Sequence, residues 1–265
     1  MFYEPGKTPH NLPFDPFKAC VVPRPIGWIS TVSPDGKSHN LAPYSQFNNL
    51  TFDPPYVMFS ANQVSPTERK DTVRNAEATG KFGWSLATWA LREHVSATAE
   101  QVPYGIDEFE RAGLEKVFST SLPGDTATAD GNGGGGGGAG NPVPLVAASP
   151  VRFECVYHTT LRLPGNPPVG SVDVVIGRVV GVHIADEVLT DGRLDVRKTQ
   201  PIARCGYYEY AVIRETFEMT VPGLSEELHA GLEGSTKRFE ALGMKPKTDG
   251  SGEEKGEGNV SNATS

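Results

Sequence analysis

Residues 171–185 read Ser-Val-Asp-Val-Val-Ile-Gly-Arg-Val-Val-Gly-Val-His-Ile-Ala. Apolar and β-branched side chains fall on both faces of this run, which marks a long central strand rather than an edge. A chain carrying such a strand must bury it between others, and Gly177 and Gly181 permit it to curve. The rest of the sequence supplies partners. Residues 26–33 are rich in Ile, Trp, Thr and Val, and Ser33-Pro34-Asp35-Gly36-Lys37 reads as a tight hairpin whose Asp-Gly pair takes the positive φ angles. Residues 38–47 form the returning strand. Asp53-Pro54-Pro55 breaks the chain before a compact buried strand at 56–61, and residues 81–88, 150–163, 207–212 and 215–221 add further β-structure. Helical patterns are few. One covers 68–78, with Ser65 or Thr67 as cap, Pro66 in its first turn and Gly80 at its end. Others cover 90–100, a short turn at 108–113, and 225–242. Many strands, few helices and no βαβ alternation predict a mainly β chain, a β-barrel with α additions.

Composition explains what is left over. Apolar residues are only 37% of the 265, and two segments account for much of the shortfall. Residues 119–142 hold nine of the 30 glycines, six of them consecutive, and residues 244–265 are polar. Both read as disordered, the first as a surface insertion. The glycine run lacks the Gly-Lys-Ser/Thr of a phosphate-binding loop. The net charge is −8 and no block of Lys and Arg exists, which excludes a nucleic-acid surface. No apolar run approaches the ~20 residues of a membrane span, and residues 1–13, with three prolines, lack the apolar stretch of a secretion signal. A cytoplasmic protein without a membrane partner is expected.

Cys20, Cys155 and Cys205 form no C-x-x-C pair, and neither G-x-S-x-G nor H-E-x-x-H occurs. The six histidines lack ligand spacing, and His183 reads as a packed or interface residue. No metal site and no catalytic side chain is visible, so a bound cofactor is expected to carry the chemistry. Three stretches suit one: residues 23–31 (Pro-Arg-Pro-Ile-Gly-Trp-Ile-Ser-Thr), residues 40–47 (Asn-Leu-Ala-Pro-Tyr-Ser-Gln-Phe) and Lys70-Asp71-Thr72. The last opens a helix, where free N–H groups and the dipole favour a phosphate. Read alone, a solvated helix face with Asp71 as its N-terminal charge is slightly favoured, because Lys and Thr near a helix start are common. If the hairpin forms, Thr31, Asn40 and Ser45 come together on adjacent strands beside an apolar wall of Ala42, Pro43 and Phe47. Pro43 leaves its strand incompletely bonded.

The order P-R-P-I-x-W-I-S-T, D-G-K-x-x-N-L-A-P-Y-S-x-F, D-P-P and K-D-T-x-x-N resembles the flavin reductase-like family of FMN-binding split β-barrels. Residues 104–114, 177–184, 191–195 and 201–208 resemble its later motifs, so the likeness runs from about residue 17 to 212. It implies a split-barrel domain at 17–221 between an N-terminal arm (1–16) and a C-terminal helix (222–243) followed by the tail. It also implies a homodimer binding FMN rather than FAD. By this resemblance Asn40, Ala42, Pro43, Ser45 and Phe47 line the flavin ring and ribityl chain, with Thr31 and Ser60 close by. Lys70, Asp71 and Thr72 meet the phosphate. Arg24 is a flavin contact or a structural ion pair, and Arg204 and Tyr208 face the flavin from the second half or the other subunit. The implied activity is an FMN-dependent oxidoreductase, taking hydride from NADH or NADPH and passing electrons to free flavin, oxygen or another small acceptor. An FMN electron carrier and a non-enzymatic binding module are the alternatives. Two departures stand out: Trp84-Ser85, where family members often have Asn, and the glycine insertion.

Overall fold

A computed structural model describes residues 1–63, 65, 68–122, 141–168, 170–226, 228, 232 and 234. The chain divides into two units, Met1–Thr216 and Phe217–Ser265. The first contains α1 (Phe17–Cys20), β1 (Arg24–Pro25), β2 (Gly27–Val32), β3 (His39–Tyr44), β4 (Phe47–Phe52) and β5 (Pro55–Asn62). Next come α2 (Asp71–Thr79), β6 (Lys81–Ser85), α3 (Arg92–Ala97), α4 (Glu108–Arg111), β7 (Lys116–Phe118) and β8 (Pro144–Val146). The later elements are β9 (Val151–Leu163), β10 (Val172–Ile184), β11 (Leu189–Thr190), β12 (Arg193–Leu194), α5 (Val196–Thr199), β13 (Ile202–Gly206) and β14 (Glu209–Val212). Among the described residues no helix is long and apolar enough to cross a membrane.

Seven strands form one antiparallel sheet in the order β3-β2-β6-β9-β10-β5-β4. Its two edge strands, β3 and β4, are consecutive in the chain and separated only by Ser45 and Gln46. The sheet must therefore curl until its edges meet, yet β3 and β4 are not paired. The result is a barrel split along that seam, mainly β as the strand pattern requires. The long strand β10 lies between β9 and β5, and its pairing with β9 shifts register beside Gly177 and again beside Gly181. At Gly177 a Cβ would sit 2.3 Å from the Phe82 ring, so the missing side chain is what admits that ring to the interior. Ile29, Phe59, Phe82, Val175 and Cys155 fill the barrel. Each large side chain so buried is worth about 1.5–3 kcal/mol.

Several boundaries differ from the sequence reading, each for a local reason. The β2–β3 hairpin forms, but only Gly36 of the Asp-Gly pair takes positive φ. The returning strand stops at Tyr44, and Phe47 opens a separate strand. Helix α2 starts at Asp71, not at 68, because Ser65 and Glu68 bond each other's backbones in a tight turn. No side chain caps it, so Ser65 is not its cap, while Pro66 and Thr67 lie outside the described residues. Helix α3 is shorter than 90–100 because Trp89 N–H is taken by Gln200 O and Thr88 pairs with Pro201. Residues 215–221 form no strand: β13 begins at Ile202, so β14 has no partner beyond that point. Of the insertion, residues 123–140 lie outside the described residues, but its ends are packed rather than disordered. Leu122 is buried, Ser119 exchanges hydrogen bonds with Val143, and the N–H groups of Thr120 and Ser121 donate to buried Glu154. His183 meets that same carboxylate at 2.6 Å, a packed histidine. Glu226, Leu228 and Leu232 are helical. Most of the expected C-terminal helix, and the tail after it, lies outside the described residues.

Candidate functional site

A buried polar network lies where α2 and α4 cover the β2–β3 hairpin. Thr31 and Asn40 face each other across the hairpin register. Asn40 Oδ1 accepts from Thr31 Oγ1 at 3.3 Å and from Thr72 Oγ1 at 2.6 Å. Its Nδ2 donates to both carboxylate oxygens of buried Glu108 at 3.2 Å. Tyr44 donates to Thr72 Oγ1 at 2.8 Å, and Asn75 links Thr31 to Tyr104. Burial pushes the Glu108 carboxyl above the ordinary range, against bonds from Leu41 N–H and Asn40 that pull it down. Thr31, Asn40 and Thr72 thus spend their side-chain hydrogen bonds on one another. The Thr72 hydroxyl, expected to meet a phosphate, gives its proton to Asn40 instead.

Beside this network is a cavity of ≈ 160 Å³ whose lining includes Asn40, Ala42, Pro43, Lys70, Asp71 and Thr72. Six of the eleven expected site residues therefore converge. Lys70 is the N-cap of α2 and half-buried; its carbonyl accepts from Val73 N–H and Arg74 N–H, while its ammonium has no hydrogen bond or ion pair among the described residues. Burial lowers its pKa, opposed by Asp71 and Glu68. The N–H groups of Asp71 and Thr72 open the helix and also have no partner among the described residues. The cavity wall is rich in carboxylates, but most are already engaged. Asp71 has Arg74 at 3.8 Å, Glu100 has Arg111 at 2.5 Å, and Glu108 holds Asn40 and Leu41. Glu68 also lines the cavity, and with it remain the Lys70 cation and two helix N–H groups, the donor set of an anion site.

Strand β3 continues from this cavity to a larger one of ≈ 840 Å³, lined by Ser45, Gln46, Arg24, Asn62, Arg204 and Tyr208 among others. Leu41 N–H turns away from β2 to reach Glu108, so by strand alternation Pro43 and Ser45 are the next outward positions. Pro43 has no N–H, and the Ser45 N–H has no partner among the described residues. Among the described residues the edge between the cavities thus presents one free donor, at Ser45.

The remaining expected residues lie elsewhere. Ser45 is in the turn after β3, not on it, and with Arg24 it lines the larger cavity. Arg24 makes no ion pair among the described residues; its Nη1 donates to Lys18 O and Val21 O. Thr31, Phe47 and Ser60 line neither cavity. Phe47 is a core residue, stacked on Trp84 with ring centroids 5.4 Å apart, and Trp84 in turn packs on Phe153. The Trp84-Ser85 departure is thus spent on packing. Ser60 pairs with Val174 on the outer side of the sheet. Glu108, Asn75 and Tyr104 were missed as site residues although each lies in a quoted motif, since no spacing shows that α4 folds onto β3.

A curled seven-stranded antiparallel sheet, split between β3 and β4 beside the start of α2, defines a split barrel. Residues 19–201 match the flavin reductase like domain, and the chain belongs to that family. It is 31% identical over 207 residues to an uncharacterized protein of Halalkalibacterium halodurans, covering 78% of this chain and 90% of that one. Among solved structures it is similar to nitrilotriacetate monooxygenase component B from Bacillus cereus, at 28% identity and TM-score 0.69, covering 83% and 98% of the two chains. It shares its fold with the flavoredoxin of Desulfovibrio vulgaris (Miyazaki F), at 17% identity and TM-score 0.59, covering 77% and 93%.

Proposed function

We propose that the protein is an FMN-dependent oxidoreductase that draws hydride from NADH or NADPH and passes electrons to free flavin, oxygen or another small acceptor in the cytoplasm. The observation that carries this is Lys70, half-buried, its ammonium and the two N–H groups at the start of α2 without partners among the described residues, next to the edge of β3. Family membership and the likeness to a monooxygenase component B support it.

The residues present fit FMN. Lys70 and the N–H groups of Asp71 and Thr72 would hold the phosphate. A cavity of ≈ 160 Å³ is below the ~300–1,000 Å³ of a whole small-molecule site, so the ring would extend out of it, past Ala42 and Pro43 toward Ser45. Bound FMN supplies the redox chemistry, accepting a hydride equivalent and releasing electrons to the acceptor. The protein binds and orients. The Asn40–Glu108–Thr72 network fixes the angle between β3 and α2, and the Ser45 N–H is placed to donate to a ring that gains negative charge.

The homodimer belongs to the same proposal. Leu161 and Leu163 are exposed and share the outer side of the sheet with half-exposed Val172, Val174, Ile176 and Met58. An apolar face of this kind marks an interface. Analytical ultracentrifugation is expected to give a dimer, and Leu161→Asp a monomer. Steady-state oxidation of NADH and NADPH, with and without added FMN, tests the activity. FMN-dependent turnover is expected, whereas bound flavin without turnover would make the protein an electron carrier.

A further inference from the structure

We infer that the larger cavity is a binding site for an aromatic anion, whose carboxylate or phosphate is held by Arg24 and Arg204. The two arginines are cross-strand partners in the β1–β13 pairing, and both line the cavity. Two adjacent guanidinium groups repel unless an anion lies between them. No carboxylate pairs with either among the described residues. Arg24 Nε is buried and has no hydrogen-bond partner among the described residues, so this guanidinium has not spent all its donors on the protein. Arg204 is held from behind: Nη1 donates to the Tyr210 hydroxyl at 2.7 Å, Nη2 donates to Tyr207 O, and the group lies over the Tyr210 ring. Its fork is thereby fixed in place. Lys18 adds a third cation to the lining, and Asp15, the one acid there, accepts from Phe17 N–H.

The other walls are aromatic: Phe14, Phe17, Tyr207 and Tyr208. The backbone is built to bring them there. Gly206 has φ +91°, and a Cβ on it would lie 2.6 Å from Lys18 O, so only glycine lets α1 close onto the β13–β14 turn. Tyr207 follows at φ +46°, a conformation that costs a non-glycine residue energy and is retained where it positions a side chain. Tyr208 is 91% exposed, a large ring left without protein packing. Planar cations with aromatic faces select a ring that carries negative charge. What the ligand does there, as electron donor or acceptor, rests on the flavin reading above; its binding does not.

Isothermal titration of the full chain, with and without FMN, tests the site with two matched pairs: benzoate against benzamide, and phenyl phosphate against phenol. In at least one pair the anion is expected to bind about tenfold or more tightly than its neutral partner, the worth of one charged hydrogen bond. The anion that wins identifies a carboxylate or a phosphate as the natural group. Binding is expected to persist with FMN bound, Arg204→Gln to abolish the preference, and Arg204→Lys to restore part of it. Equal binding of anion and neutral partner, no saturation at millimolar concentration, loss of the anion on FMN saturation, or a preference unchanged in Arg204→Gln would each overturn the proposal. If Arg204→Gln fails to fold, the matched pairs on the native protein still decide. Anion binding without FMN binding would sink the flavin reading and leave this site standing; the reverse would remove this site alone.

Discussion

The network around Asn40 and the cavity around Arg204 use hydrogen-bonding groups in opposite ways. In the first, Thr31, Asn40, Thr72 and Tyr44 satisfy one another and Glu108 behind closed helices. In the second, Arg24 and Arg204 line open volume beside exposed aromatic rings, and no carboxylate pairs with either among the described residues. Polarity alone does not make a ligand contact; unspent capacity does. By that measure Lys70, the Asp71, Thr72 and Ser45 N–H groups, Arg24 and Arg204 are the proposed ligand contacts, while Asn40 and the Thr72 hydroxyl shape the site.

Substitutions in the two regions should therefore read out differently. Asn40→Leu strands the buried Glu108 carboxylate, and urea unfolding should show a loss of about 3 kcal/mol. A neutral result would mean that the network is not under tension. Lys70→Ala should keep stability and weaken FMN by about 1–3 kcal/mol in a fluorescence titration. The same lysine sets a pH dependence. Its charged form holds the phosphate, so affinity is full below its lowered pKa and lost as pH rises through it. That loss should begin below the usual 10.5 and be absent in Lys70→Ala. Thr72→Val should cost about 1 kcal/mol of stability, the worth of its hydrogen bonds, and leave FMN affinity nearly unchanged. A large affinity loss there would return the hydroxyl to the phosphate site. Deleting residues 130–140, a surface insertion by their composition, should shift stability by less than about 0.5 kcal/mol.

Much of the barrel was legible because its signals are local. The two-faced apolar run became β10, Asp53-Pro54-Pro55 ended β4, and Gly80 ended α2 with its N–H on Ala76 O. The start of α2 was misplaced because Ser65 and Glu68 bond each other, a choice that neither propensity nor capping rules reveal. The phosphate-site residues were legible as types at a helix start. Which of them were free was not, since that depends on Glu108, 68 positions from Asn40 in the chain, folding back against it. Phe47 was read as a flavin wall because its place in the motif says nothing of Trp84, whose indole takes its face. The cationic cavity was least visible, since Arg24 and Arg204 meet only through the β1–β13 pairing.

The central claim is that this barrel binds FMN and passes electrons through it. The most direct test is a visible absorption spectrum after FMN addition and desalting, recorded before and after anaerobic NADH or NADPH. Retained flavin bands that bleach on adding the nucleotide are the predicted result. A protein that keeps no flavin at any pH at which Lys70 is charged would contradict it.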